Sequence, residues 1–480
     1  MTTIRRPISS RAPAHSLRLH PLAWAVVVLM GPAWGAGALV APLKDAIPVQ
    51  SDVWAKAGQG ADSKYLVTKG LNSITATVQQ KSKRAIYNWK SFDIGSEATV
   101  NFDMQGGAGS SALNRIHSND PSQIFGKLNA NGDVFLINRN GIIFGKGSQV
   151  NVAGLVASTL DIKDDVFLGG LTTIDSRDPT FEWKNAEGLA TYEPEENFVT
   201  VEAGAKISTA SGGRVFLMAR KVENAGEITT PDGQTVLAGG DKVWLKSPQP
   251  AVEHIYASEA NPTYTATRGL LVEVSGAGSA TNLGKILAEK GNITLVGYAV
   301  RNAGKLQATT SATSNGSVFL QARRVVEPLP ASDGPVQATE GGALVLDGGI
   351  EITPDNSEKY DSNATFTRSR VHLSGQTIVL GENSSIVAHG GLVDVRAEDA
   401  PSYSSTAGAF GGAPNAGASM SAEQSPTARV VLAKGAAIDV SGTTDTTVSV
   451  SRNFVTTELL GASDLKDAPL QKGGALYPGT

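Results

Sequence analysis

The stretch NANGDVFLINRNGIIFGKGSQVNVAGLVASTL, Asn129 to Leu160, packs three short β patterns between Asn/Gly turns. Val134 and Leu136, then Val150 and Val152, alternate with their neighbours, as strands with one buried face do. Asn131-Gly132 and Asn140-Gly141 supply turn residues that tolerate positive φ. Strands this short suit the rungs of a parallel β-helix better than an open sheet. Taken alone, the segment also fits a β-sandwich hairpin.

Repetition elsewhere favours the solenoid. GRVFLMARKVENAGEI, Gly213 to Ile228, aligns without gaps to GNITLVGYAVRNAGKL, Gly291 to Leu306, at an offset of 78 residues, which reads as several rungs. Val215/Ile293, Leu217/Leu295 and Val222/Val300 share the buried phase, and Asn224/Asn302 and Gly226/Gly304 share the turn. The half-motif returns as GSVFLQA at Gly316 and GLVDVRA at Gly391, while GSQVNVAG at Gly147 returns as GAAIDVSG at Gly435. Stacked rungs would bury the aliphatic side chains in columns. The asparagines can either form hydrogen-bonded ladders or serve singly as turn residues.

Composition narrows the class. The chain has 41 Lys+Arg and 45 Asp+Glu, and Arg5, Arg6, Arg11 and Arg18 precede an apolar run, Pro21 to Met30, with small residues at Ala36-Gly37-Ala38. Residues 1–38 therefore read as a signal peptide cleaved near Ala36 and Ala38. A transmembrane anchor is the competing reading, but Gly31, Pro32 and Gly35 interrupt the run and leave it short for a bilayer. The mature balance is then 37 against 45, or −8, which argues against nucleic acid as a partner. There is no cysteine. A chain that threads a pore unfolded cannot carry disulfide-locked loops, and a large β core equally needs no staples.

The segment from about Ile86 to Ile162 resembles the haemagglutination-activity domain of two-partner secretion exoproteins, the filamentous-haemagglutinin-like and high-molecular-weight adhesins of Gram-negative bacteria. The resemblance lies in an ordered set: Asn88-Trp89, Phe92, Asn114-Arg115, Pro121-Ser122, Asn131-Gly132, Asn138 to Ile142, and GLVASTLDI ending at Ile162. The family's secretion motif, Asn-Pro-Asn-Gly-Ile, stands here as Asn138-Arg139-Asn140-Gly141-Ile142, with arginine in place of proline. The Asn114-Arg115 pair is a secondary motif of the same domain. The resemblance implies an all-β, right-handed parallel β-helix with an N-terminal cap and looped-out insertions. It also implies export through an outer-membrane β-barrel transporter whose periplasmic domains recognise the chain, leading to secretion or display on the cell surface. A host-cell glycan or protein receptor is the partner expected of the adhesin.

On this reading residues 39–125 hold the cap and the start of the secretion domain, and 126–268 its regular helix, with Thr172 to Asn197 looping out. Residues 269–480 continue as a shaft with excursions near Glu327 to Gly341, at Pro354 to Arg370, and a disordered 401–428. A chain stopping soon after Ala433 to Gly442 would expose its last layer, so the 480 residues read as the front of a longer polypeptide.

No cofactor, metal site or catalytic residue is expected. His117, His254, His372 and His389 are scattered singly and read as surface or turn residues. Asp161, Asp164 and Asp165 fit a solvated turn, or the carboxylates of a β-helical polysaccharide lyase or hydrolase. That enzyme is the alternative function, and the stalk of a contact-dependent toxin is a third. Asn292, Asn315, Asn363 and Asn383 lie in N-x-S/T sequons.

Overall fold

The computed structural model describes residues 40–56, 60–171, 178–183, 197–246, 251–253, 263–265, 270–310, 316–328, 336–354, 369–399 and 427–442. The proposed leader, with Ala36 and Ala38, lies outside them, as do His254, Asn315, Asn363, residues 401–426 of the proposed disordered segment, and most of the excursion at Pro354 to Arg370. The chain divides into two units, Met1–Ala41 and Pro42–Thr480, and every described strand belongs to the second.

From Ile74 onward the chain winds through three long sheets in a fixed order, adding one strand to each per turn. Sheet I runs from Ile74–Gln80 to Ala437–Asp439, sheet II from Arg84–Ser91 to Leu392–Ala397, and sheet III from Ser122–Ile124 to Arg429–Leu432. Strands of successive turns pair in parallel, so the fold is a parallel β-helix of ten coils among the described residues. At ~4.8 Å per coil it is on the order of 50 Å long.

Register explains the repeats. The GRVFLMA, GNITLVG, GSVFLQA and GLVDVRA segments all lie on sheet II, where Ile293 pairs with Val318, Val318 with Val371 and Val371 with Val393. GSQVNVAG and GAAIDVSG both lie on sheet I, and Val150 stacks between Leu128 and Ile207 there. Interior Val and Ile side chains leave water mostly against other aliphatic residues one coil away, worth roughly 1.5–3 kcal/mol apiece. The 78-residue offset spans two coils rather than several: Val215 pairs with Thr235, and Thr235 with Ile293.

The asparagines form a ladder. Asn224, Asn282 and Asn302 are fully buried in register on sheet III, with Asn224 Nδ2 to Asn282 Oδ1 and Asn282 Nδ2 to Asn302 Oδ1 both 2.8 Å. Two residues on, glycine is required: a Cβ at Gly304 would lie 2.0 Å from the Gly284 carbonyl oxygen.

Two features differ from the expectation. The rungs begin at residue 74, well before Gly126, because the cap is compact. Val49–Ala55 and Lys64–Lys69 close sheets II and I by antiparallel pairing. Their Trp54 and Tyr65 plug the end of the core, Trp54 stacking on Tyr87 at 4.8 Å and meeting Trp89 edge-on at 5.6 Å.

Second, sheet II is buried on both faces. Its outward residues Phe135, Val156, Phe216 and Val236 pack under a separate four-stranded antiparallel sheet made of Asp161–Ile162, Phe181–Glu182, Lys242–Lys246 and Leu271–Ser275, with the short helix Asp164–Gly169 alongside. These strands come from excursions that all leave the corner between sheets II and III. The chain departs there after Ser158, after Gly239, in the Ser317–Pro328/Val336–Gly341 hairpin, and after Ala397. In the coils between, one residue turns the corner: Arg220, Tyr298 or Gln376. The first two excursions each supply two strands to the four-stranded sheet, the second also carrying the ribbon Ala251–Glu253/Thr263–Thr265, and the third is itself a two-stranded hairpin.

Candidate functional site

Residues Asn138 to Ile142 turn the corner from sheet II to sheet III in the third coil. The Gly141 N–H donates to the Asn138 carbonyl at 3.1 Å, and Asn138 Oδ1 accepts from the Asn140 N–H at 3.0 Å. This is a type I turn with an Asx cap, since Asn140 is not among the residues of positive φ. Gly141 comes next at φ +115°, where a Cβ would also lie 3.1 Å from the Phe198 ring.

The two asparagines face inward. Asn138 is fully buried and Asn140 nearly so. Asn138 Nδ2 donates to the Asp120 carbonyl at 3.1 Å and to Ser122 Oγ at 3.0 Å, and Asn140 Nδ2 donates to the Ser118 carbonyl at 2.5 Å. Together they fix residues 118–122 of the previous coil. Ile142 is buried between Ser122 and Val199. Sequence reasoning missed Ser118, Asp120 and the bonding role of Ser122, although the Asn-Asp-Pro-Ser run there carries turn chemistry.

Asn114 and Arg115 point in opposite directions, as neighbours on a strand must. Asn114 is fully buried and accepts a 2.9 Å bond from Trp89 Nε1, while its Nδ2 donates to the Phe135 carbonyl at 3.0 Å. Arg115 reaches outward to Asp161 (2.9 Å), Asp164 (2.5 Å) and the Ile162 carbonyl (2.6 Å), and Lys56 pairs with Asp164 from the cap. The expected solvated turn is thus a latch: Asp161 lies in a strand, and Asp164 and Asp165 open a helix whose N-terminal dipole favours acids.

The electrostatics of the latch predict a response to acid. Burial opposes the charge of Arg115, but Asp161 and Asp164 outweigh it and raise its pKa. Burial likewise works against the Asp164 carboxylate, and hydrogen bonds from Lys56 and Arg115 override it, leaving the pKa lowered. A depressed carboxylate contributes stability above its unfolded value of about 3.9, lost as pH falls through the folded value. Below about pH 4 the Asp161–Gly169 segment should exchange its amides faster while the coil strands stay protected. Hydrogen exchange at two pH values checks this, and Asp164→Asn should remove most of the difference.

The other single residues divide. His372 is not on the surface: it lies buried in Arg370–Gly375, bonded through Nδ1 to Asp394 at 3.2 Å, and burial lowers its pKa. His117 is exposed enough to meet Asn88 Oδ1 at 3.0 Å, and His389 meets Ser441 Oγ at 3.1 Å. Asn292 is buried in a strand, which removes it as a modification acceptor in the folded state, whereas Asn383 stands on an exposed turn. Among the described residues no group of three or more His, Cys, Asp or Glu could hold a metal.

Comparison with known proteins places this geometry. A family profile described as the TPS secretion domain matches residues 52–326. Heme/hemopexin-binding protein of Haemophilus influenzae is 47% identical over 87 residues, 18% of this chain and 9% of that protein, and the same protein from the Rd strain matches equally over 10% of its length. The match thus spans about a tenth of those relatives. The crystal structure of the HMW1 secretion domain from Haemophilus influenzae superposes with a TM-score of 0.56 at 25% identity, covering 82% of this chain and 84% of that one. With more than half of its length matched, the chain belongs to the TPS secretion domain family, the N-terminal export domain of two-partner secretion exoproteins.

Proposed function

We propose that the partner transporter's periplasmic domains read Asn138 to Ile142 in the extended chain, before the third coil closes, and that folding outside the cell then hides the signal. The burial of Asn138 and Asn140 carries this reading: once their amides bond to Asp120, Ser122 and Ser118, the folded coil offers a partner little of the motif. An extended segment could be captured by strand addition to a sheet edge. Each emerging coil then needs only its predecessor as template, so folding draws the chain outward without a nucleotide cofactor. The product is a secreted or surface-displayed exoprotein, with adhesion to a host glycan or protein the role of the wider polypeptide. Its Asp161 and Asp164 are engaged by Arg115 and Lys56, which favours this over glycan cleavage.

The test compares secreted with periplasmic protein in cells carrying the transporter. Asn138→Val should cut the secreted fraction several-fold. Ser122→Ala removes one folded-state partner of Asn138 but leaves the motif intact, and should export normally. Equal loss in both would mean that folding, not reading, is affected, and normal export of Asn138→Val would sink the proposal. Arg139→Pro should export as well as the parent and gain up to about 1 kcal/mol, because Arg139 sits at the second turn position, where proline's φ fits.

A further inference from the structure

Of the fourteen large apolar side chains that stand exposed among the described residues, seven fall between residues 40 and 71. Five others lie on or just after the last described strands, at Val430 to Val440, and only Leu283 and Tyr298 between the ends. Within the cap the densest group is Lys64–Lys69 and its turn: Leu66 and Val67 are nearly half exposed, and Leu71, at the tip, is wholly so. Among the described residues Lys64–Lys69 is also the edge strand of sheet I, paired on one side only.

Charge is distributed just as unevenly. Residues 42–91 carry eight lysines and arginines against Asp45, Asp52 and Asp62, a balance of +5, whereas 92–480 carry 29 against 42, or −13. An apolar, cationic tip on an acidic body selects an anionic partner. A second copy fits poorly. Antiparallel pairing of two Lys64–Lys69 edges in symmetric register sets Lys64 opposite Lys69, like charges that destabilise the pair.

Which side chains face out decides the kind of anionic partner. The aromatic residues of the cap, Trp54, Tyr65, Tyr87 and Trp89, turn inward on one another. Protein interfaces favour aromatics and arginine and are depleted of lysine. What remains outside is aliphatic side chains on a turn and an edge, flanked by lysines. That combination suits a headgroup layer, where leucine enters the acyl boundary and lysine extends back to the phosphates.

We propose that the N-terminal tip of the solenoid, centred on Lys64, Leu66, Val67, Lys69 and Leu71, docks on an anionic lipid surface. The chain collected from the medium of transporter-bearing cells would be sedimented with vesicles of phosphatidylcholine alone or mixed with phosphatidylglycerol. Binding is expected only to the mixed vesicles, weakening as salt is raised. Leu66→Ser/Leu71→Ser and Lys64→Glu/Lys69→Glu, both on exposed positions and checked for an unchanged β spectrum, should each lower partitioning by about tenfold or more. Equal binding to both vesicle types, or binding that neither variant reduces, would overturn the proposal. So would capture by soluble polyglutamate without vesicle binding, which would assign the tip to an acidic polymer, or self-association lost in the same variants, which would assign it to a second copy.

Discussion

Arg323→Met is expected to lower stability by about 3–5 kcal/mol, the cost of stranding a buried carboxylate. Arg323 is fully buried where Ser317–Pro328 leaves sheet II, paired with Gly341 at the start of the hairpin. Its guanidinium holds Glu273 of the covering sheet through two bonds, that from Nε being 2.9 Å, and donates to Gln321 Oε1 at 2.7 Å. The pair therefore ties the excursion of the sixth coil to the eighth coil. Replacing both partners, as Arg323→Met/Glu273→Met, should recover most of the loss, because a hydrophobic pair of similar volume has no charge to desolvate. Urea unfolding of the three variants measures both effects. If the single variant falls by less than about 1 kcal/mol, the pair is more hydrated than its burial implies.

The Asn282→Leu substitution should cost about 2–4 kcal/mol, since two buried amides lose a partner at once. Asn224 Nδ2 would find no acceptor and Asn302 Oδ1 no donor, while the leucine itself fits: the next positions along the column are Leu346 and Leu380. Converting all three asparagines to leucine should recover only part of the loss: the side-chain ladder no longer has orphaned members, but the Gly226 N–H loses its acceptor on Asn224 and the Gly284 and Gly304 carbonyls lose a donor. A triple variant as weak as the single one would show that the ladder's register, rather than its satisfied hydrogen bonds, is what the fold requires. The same denaturation curves, with protease sensitivity of the sixth and seventh coils, decide it.

What could be read from the chain was whatever each coil repeats. Val215 and Ile293 occupy one column, so their likeness was visible as a pattern, and Asn224 and Asn302 could be matched before the ladder joining them through Asn282 was known. The turn at Asn138 to Gly141 was legible because its bonds are local. The covering layer was not, because its contacts join residues with no periodic relation: Arg115 with Asp161, Glu273 with Arg323. A signal for it did exist. VFLI at Val134 to Ile137 and VFLMA at Val215 to Ala219 are continuous apolar runs, the mark of strands covered on both faces. Reading them as alternating left the outer half of each run unexplained, and with it the burial of His372.

Excursions on alternate coils impose a parity on the chain. One coil advances the helix by ~4.8 Å, and one strand of the covering sheet occupies the same width. A two-stranded excursion therefore needs the width of two coils, and a bare coil beside each decorated one provides it. The 78 residues between Gly213 and Gly291 are one such unit. Loss or gain of a single coil would set two hairpins side by side where only one fits, or open a gap over the apolar face of sheet II. Solenoids of this design can change length without disturbing their outer layer only by even numbers of coils.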